Sequence, residues 1–389
     1  MISVNEARTQ LFSLISPLES EGVPLIDTIG RTLATDAIAT RDQPPFAASS
    51  MDGYALRSIE AERDAMFKVI GESAAGHRFD GTVGAGQAVR IFTGAPMPDG
   101  ADYVVIQEDV SRNADVITLT DTPGKSNVRP AGGDFKTGDN IAAPRILRAE
   151  DIALLASMNV PRVQVVRRPV IALISTGDEL VMPGEDPGPD QIIASNTFGL
   201  KALLENVGAH VRILPIARDT ISSLTTAFQL AEGADLIITI GGASVGDHDL
   251  VGPVAESLGM ERAFYKIRMR PGKPLMAGRM GNAAMIGLPG NPVSAMVCGV
   301  IFILPMIRLM LGLGADIPPL PTAPLSHDIG PNGDREHYMR AAFSHGEIRV
   351  FDNQDSSLLS ILAKSNVLVV RPPNDPARVV GDELEYLSL

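Results

Sequence analysis

Residues 170–180 read Val-Ile-Ala-Leu-Ile-Ser-Thr-Gly-Asp-Glu-Leu. The unbroken apolar run Val170–Ile174 has the character of a strand buried on both faces of a parallel sheet. Beyond it the chain alternates. Helical patterns cover 196–207, 220–232, 249–258 and the long stretch 292–311. Between them lie strand patterns at 211–216, 236–240, 262–267, 275–278 and 283–287. This order predicts an α/β domain, a mostly parallel sheet with helices on both faces.

The flanks differ. Residues 3–19 carry a helical pattern, with Ser3 and Glu6 at capping-box spacing. Residues 21–40 read as a turn and short extended pieces. From 41 to 141 the apolar runs are short (66–70, 88–92, 103–107, 116–119) and separated by Gly, Pro and Asp, which predicts a β-rich segment with long loops. A helix with acids in its first turn follows at 149–158. Four prolines, Pro318, Pro319, Pro321 and Pro324, mark a linker. The tail reads as a small β-domain, with strands at 340–343, 348–351 and 367–370 and a short helix at 358–364.

The 389 residues are enough for several domains, and 45% are hydrophobic. With 33 basic against 46 acidic residues, the net charge of −13 argues against a broad nucleic-acid or anionic-membrane surface. Trp is absent and aromatics are 4%, which disfavours base stacking. The single Cys298 excludes an internal disulfide and suits a reducing cytoplasm. Asn5 and Glu6 interrupt the N-terminus, so no signal peptide is expected. The apolar stretch 293–313 holds Pro305 and Arg308, and reads as a buried helix rather than a membrane span.

Three strands end in special loops: Ser175-Thr-Gly-Asp-Glu179, Gly241-Gly-Ala-Ser-Val-Gly-Asp-His-Asp249 and Leu288-Pro-Gly-Asn-Pro292. In open α/β sheets ligands bind outside the C-terminal strand ends. Glycines admit a close ligand, and helix N-termini favour anions. Ser244 lies in the second loop, Pro289 and Pro292 in the third. Asp178, Glu179, Asp219 and Asp249 follow strands closely. They read either as helix caps or as carboxylates holding a hard cation against phosphate.

Lys266, Arg268, Arg270 and Lys273 place four cations within eight residues of an acidic chain. Alternation would put 266, 268 and 270 on one strand face, as a guarded edge or an anion site. In the β-rich segment, Asp52, Thr93, Arg129 and Asp134 sit in turn-dense stretches that specify no chemistry alone.

The ordered stretches PPFAASSMDGYA (44–55), TGAPMPDGAD (93–102), RPAGGDF (129–135), STGDEL (175–180), SNTFGL (195–200), GGASVGDHD (241–249), MRPGKPLMAG (269–278) and GLPGNPVSA (287–295) resemble the molybdopterin molybdenumtransferases and the E domain of gephyrin. The resemblance spans nearly the whole chain, most weakly the first 40 and last 70 residues. It implies four domains: a helical one split between 1–40 and 142–167, an elongated β-rich one at 41–141, the molybdopterin-binding α/β domain at 168–317 and a C-terminal β-barrel at 318–389. It further implies a cytoplasmic homodimer that uses Mg²⁺, adenylylated molybdopterin and molybdate, releases AMP and leaves molybdenum on the dithiolene. Partners would be the molybdopterin adenylyltransferase and apo-molybdoenzymes, not nucleic acid or membrane.

By the same resemblance, Glu179 and Asp249 would hold the cation, with Asp178 and Asp219 beside them and Ser244 in the same site. Lys266, Arg270 and Lys273 would hold pterin phosphate, adenylate or molybdate. Pro289, Pro292 and Ser356 would shape the molybdate pocket. Asp52, Thr93, Arg129 and Asp134 would come from the partner subunit. Arg270 stands where several members carry Lys, and Asp355 where Gly is expected. An adenylyltransferase-like enzyme would differ by consuming ATP with plain molybdopterin. A non-catalytic scaffold would differ by binding peptide without nucleotide chemistry.

Overall fold

The computed structural model describes residues 1–121, 124–242, 250–315 and 319–389. At its centre lies a six-stranded sheet in the order His210–Ile213, Val170–Ser175, Leu236–Ile240, Ala283–Leu288, Met276–Met280, Met260–Tyr265. The first four strands run parallel, and Met276–Met280 is antiparallel to both its neighbours. The apolar runs earn their burial on both faces. Leu173, Ile238 and Ile286 pack with Leu200, Phe302 and Ile307 on one side. Ala172, Ile237 and Met285 pack with Leu224, Phe228 and Val254 on the other. This is the strand period of two at work.

The long apolar stretch forms a buried helix in three pieces, Pro292–Cys298, a π-turn at Gly299–Ile303, and Leu304–Met310. Its mean hydropathy of 2.2 would suit a membrane span, but 67% of the window is buried inside the protein. Pro305 has no N–H to give the carbonyl four residues back. That carbonyl, of Ile301, instead accepts from Arg8 Nε at 3.4 Å.

Arg8 belongs to the N-terminal helix Val4–Ser13, capped as expected: the Glu6 amide donates to Ser3 Oγ at 3.2 Å, and the Ser3 amide to Glu6 Oε2 at 2.7 Å. The helix stops short of residue 19. Arg279 Nη2 holds the Leu14 carbonyl at 2.7 Å, and the amide of Leu18, just after Pro17, turns to the Met310 carbonyl at 2.8 Å.

Ser20–Pro24 and Thr32–Leu33 join Arg145–Ile146 and Arg162–Val166 in a four-stranded sheet. Between these chain segments, the β-rich stretch forms a second six-stranded sheet: Tyr103–Ile106, Gly53–Leu56, Gln87–Ile91, Met66–Ser73, Val116–Leu119, Val110–Asn113. The Asp52-Gly53 turn reading hid one of its inner strands, buried along all four residues. Gly53 is needed there, because a Cβ would lie 1.9 Å from the Val105 carbonyl oxygen.

The C-terminal sheet holds Glu336–Ser344, Val367–Arg371, Glu383–Ser388, Thr322–Pro324 and Glu347–Val350. Its edge is Met269–Arg270, paired parallel with Glu336 and His337. Tyr338 and Leu368 reach into the same core as the central sheet.

Candidate functional site

Three loops at the C-terminal ends of parallel strands converge. The Gly241 amide donates to the Leu288 carbonyl at 3.1 Å, and the Thr176 amide to the Ile240 carbonyl at 3.0 Å. Gly241 has φ +98°, and a Cβ on it would come within 2.7 Å of the Thr176 carbonyl oxygen. A Cβ on Gly290 would lie 3.6 Å from Gly241 Cα. Glycine at 241 lets its loop touch the Thr176 loop backbone to backbone, while the Gly290 loop packs on it at ordinary contact distance.

They enclose a cleft of about 830 Å³, a size suited to a small-molecule ligand. Glu179, Asp219, Pro289 and Pro292 line it, as do Ser175, Thr176, Asn196 and Asn291. The Glu179 carboxylate folds over Gly177, where a Cβ would meet its Oε2 at 2.5 Å. Asp178 does not line the cleft; its Oδ1 accepts from the Asp219 amide at 3.2 Å and so fixes that neighbour. Arg218 staples the loop from behind, donating to the carbonyls of Asp178 at 2.9 Å and Leu180 at 3.2 Å. Asn196 Nδ2 donates to the Gly290 carbonyl at 2.7 Å. Asp249 and Ser244 lie outside the described residues.

A second cavity of about 520 Å³ is lined by Arg270, His337, Gln354, Asp355 and Arg371 among others. Arg340 is 1% exposed, yet charged, and its guanidinium donates to Gln354 Oε1 at 3.3 Å and the Asp355 carbonyl at 2.8 Å. Burial depresses His337 to about 3, reinforced by Arg270, Arg340, Arg371 and Arg335, so it is neutral at pH 7. The Asp355 carboxyl turns to Ser357, whose amide and hydroxyl donate at 2.8 and 2.7 Å and hold it below the usual range.

The two cavities share one wall. Residues 352–355 line the second, Ser357 and Leu359 the first. Between them Ser356 accepts from Asn291 Nδ2 at 3.1 Å.

The cation run is split. The preceding strand ends at Tyr265, and Lys266 is left-handed with φ +69°. Its ammonium sits 4.8 Å from the Tyr265 ring centroid. The expected single face therefore starts only after Lys266: Ile267 and Met269 are buried, Arg268 and Arg270 exposed. Lys273 is exposed beside Pro274, which lines the first cleft.

Asp52, Thr93, Arg129 and Asp134 line neither cavity. Asp52 and Thr93 do form a unit: the Thr93 amide and hydroxyl each donate to Asp52 Oδ1 at 2.8 Å and lower its pKa. Sequence reasoning missed Arg218, Asn196, Asn291, Arg340 and His337 as site-forming residues. Asn196 and Asn291 stood inside quoted motifs; Arg218, Arg340 and His337 carried no local signal.

The chain matches the family "MoeA N-terminal region (domain I and II)" over residues 2–159, "Probable molybdopterin binding domain" over 172–309 and "MoeA C-terminal region (domain IV)" over 322–389. A molybdopterin molybdenumtransferase of a Nostoc species is 35% identical, covering 100% of this chain and 94% of the relative. One from Haemophilus influenzae is 35% identical, covering 95% and 94%. The crystal structure of a molybdopterin biosynthesis MoeA protein from Pyrococcus horikoshii superimposes with a TM-score of 0.87 at 27% identity, covering 100% of this chain and 99% of that one.

Proposed function

We propose, from the premise that the chain belongs to the molybdopterin molybdenumtransferase family, that it inserts molybdenum from molybdate into adenylylated molybdopterin with release of AMP. The step belongs to molybdenum cofactor biosynthesis. One observation carries the reading: the carboxylate cleft and the arginine-lined cavity share the wall 352–359. A nucleotide-bearing substrate and an oxyanion therefore have adjoining places.

In this reading the adenylylated substrate lies in the larger cleft, its phosphates near Glu179 and Asp219. Molybdate lies towards Arg270, Lys273, Arg340 and Ser356. Arginine offers a planar fork to an oxyanion, and the charge-assisted hydrogen bonds it donates are stronger than neutral ones. Pro289 and Pro292 shape the floor, and Lys266 reaches the pterin phosphate.

No group of three His, Cys, Asp or Glu among the described residues forms a metal cage on its own. That fits Mg²⁺, which takes one or two carboxylates and completes its shell with water and substrate phosphate. Glu179 with Asp219 are the described donors, and Asp249 is the further one we assign. When bound, the ion supplies neutralisation of phosphate charge. The protein's own groups orient the anhydride and exclude water.

We further infer a cytoplasmic homodimer in which Asp52, Thr93, Arg129 and Asp134 complete the partner's cleft. The four-part division at about 41, 141, 168 and 318, closure of the C-terminal sheet into a barrel, and delivery to apo-molybdoenzymes belong to the same reading.

The test is AMP release from adenylylated molybdopterin with Mg²⁺, with and without molybdate. Molybdate-dependent release with formation of active cofactor is expected. A folded protein that leaves verified substrate intact would overturn the reading.

A further inference from the structure

We propose that Ile192 and Ile193 form the wall against which the flat, fused heteroaromatic ring of the substrate lies, a proposal that rests on the function above. Both are large aliphatic side chains left 59% and 39% exposed, and both line the carboxylate cleft. Single exposed apolar residues need no explanation, but an adjacent pair inside a concave site does. Leu180, Pro274 and Leu359, itself 36% exposed, line the same cleft. The cleft thus offers apolar surface besides its carboxylates, hydroxyls and amides, which suits a ligand with a charged part and a flat apolar part.

The ribbon carrying the pair is tied to the carboxylate loop. Ile192–Ile193 pairs with Leu180–Val181. The Ile192 amide donates to the carbonyl of Glu179 at 2.8 Å, and the Ala194 amide to that of Val181 at 2.8 Å. Ring wall and carboxylate therefore move as one piece. A ring seated on the isoleucines is thereby held on the same ribbon as Glu179. Ile192 and Ile193 are in this sense substrate-binding residues.

The substrate class carries two fused ring systems, pterin and adenine, and separate ligands tell them apart. The variant is Ile192→Ser with Ile193→Ser in the full chain, at exposed positions where the fold tolerates polarity. The KM for adenylylated molybdopterin should rise about tenfold or more, with the KM for molybdate, kcat and Tm unchanged. Ile192→Val with Ile193→Val should restore it to within about twofold. Direct titration then assigns the ring: weakened binding of molybdopterin marks the pterin, weakened binding of AMP the adenine.

Unchanged affinity for both ligands would overturn the proposal. So would a fall in Tm or kcat with KM intact, which would mark a structural ribbon. A wild-type protein that binds molybdopterin or AMP but releases no AMP would defeat the function proposed above and leave this inference to the titration alone. A wild-type protein that binds neither would defeat both.

Discussion

The side-chain amide of Asn291 donates a 3.1 Å hydrogen bond to the hydroxyl of Ser356, 65 residues further along the chain. The Val293 amide takes the Ser356 carbonyl at 3.1 Å. One serine thus fastens the third strand-end loop to the segment that separates the two cavities. Asn291→Ala and Ser356→Ala should each raise the KM for molybdate several-fold, and Ser356→Ala should leave AMP affinity near the wild-type value. A double-mutant cycle should show coupling of about 1 kcal/mol. Strict additivity would mean the bond does not join the sites.

Glu179 lines the cleft with its carboxylate over Gly177. Glu179→Gln keeps the shape and removes the charge. Molybdate-dependent AMP release should fall about 10²- to 10³-fold, and the concentration of Mg²⁺ needed for half-maximal rate should increase. Chelation should silence the wild type reversibly. Full activity in Glu179→Gln would remove this residue from the chemistry.

Asp52 and Thr93 form a hydrogen-bonded unit that lines neither cavity. If they act on a partner's cleft, Asp52→Asn and Glu179→Gln proteins should each be inactive alone. Mixed as exchanged subunits they should recover part of the wild-type rate, because some dimers then hold one intact site. No recovery after verified exchange would show that the site is not shared.

His337 is held neutral to about pH 3 by burial and by Arg270, Arg340, Arg371 and Arg335, against 6.5 for the free side chain. The unfolded chain therefore binds a proton that the folded one refuses between those values. Stability should be flat above about pH 6.5 and fall as pH drops towards 3, by a few kcal/mol at most. His337→Gln should flatten that part of the profile. An unchanged acid limb in the variant would assign the loss to carboxylates such as Asp375.

Much of this was legible in the residues. Val170–Ser175, Leu236–Ile240 and Ala283–Leu288 announced themselves because strands buried on both faces have no polar face to blur the pattern. Gly53–Leu56 did not, since Asp52-Gly53 is a turn signal and only the close approach of Val105 explains the glycine. The Glu179 loop and the Pro289–Pro292 loop could be read because strand-end loops are local. The 352–359 wall was named only at Asp355 and Ser356, through the resemblance; Arg340, which holds Gln354 and the Asp355 carbonyl from a distant strand, gave no local signal. The stripe of cations was misjudged at Lys266, where a left-handed residue breaks the alternation.

Met269–Arg270 precedes the proline-rich connection in the chain, yet is an edge strand of the sheet that follows it. Backbone pairing and the shared burial of Tyr338 and Leu368 bind the two regions independently of the peptide link between them. A cut between Gly312 and Pro321 would divide the polypeptide without dividing the molecule. The fragments would comigrate under native conditions and part only in denaturant. By the same logic, the last seventy residues could be made as a separate chain and dock onto the rest as a subunit.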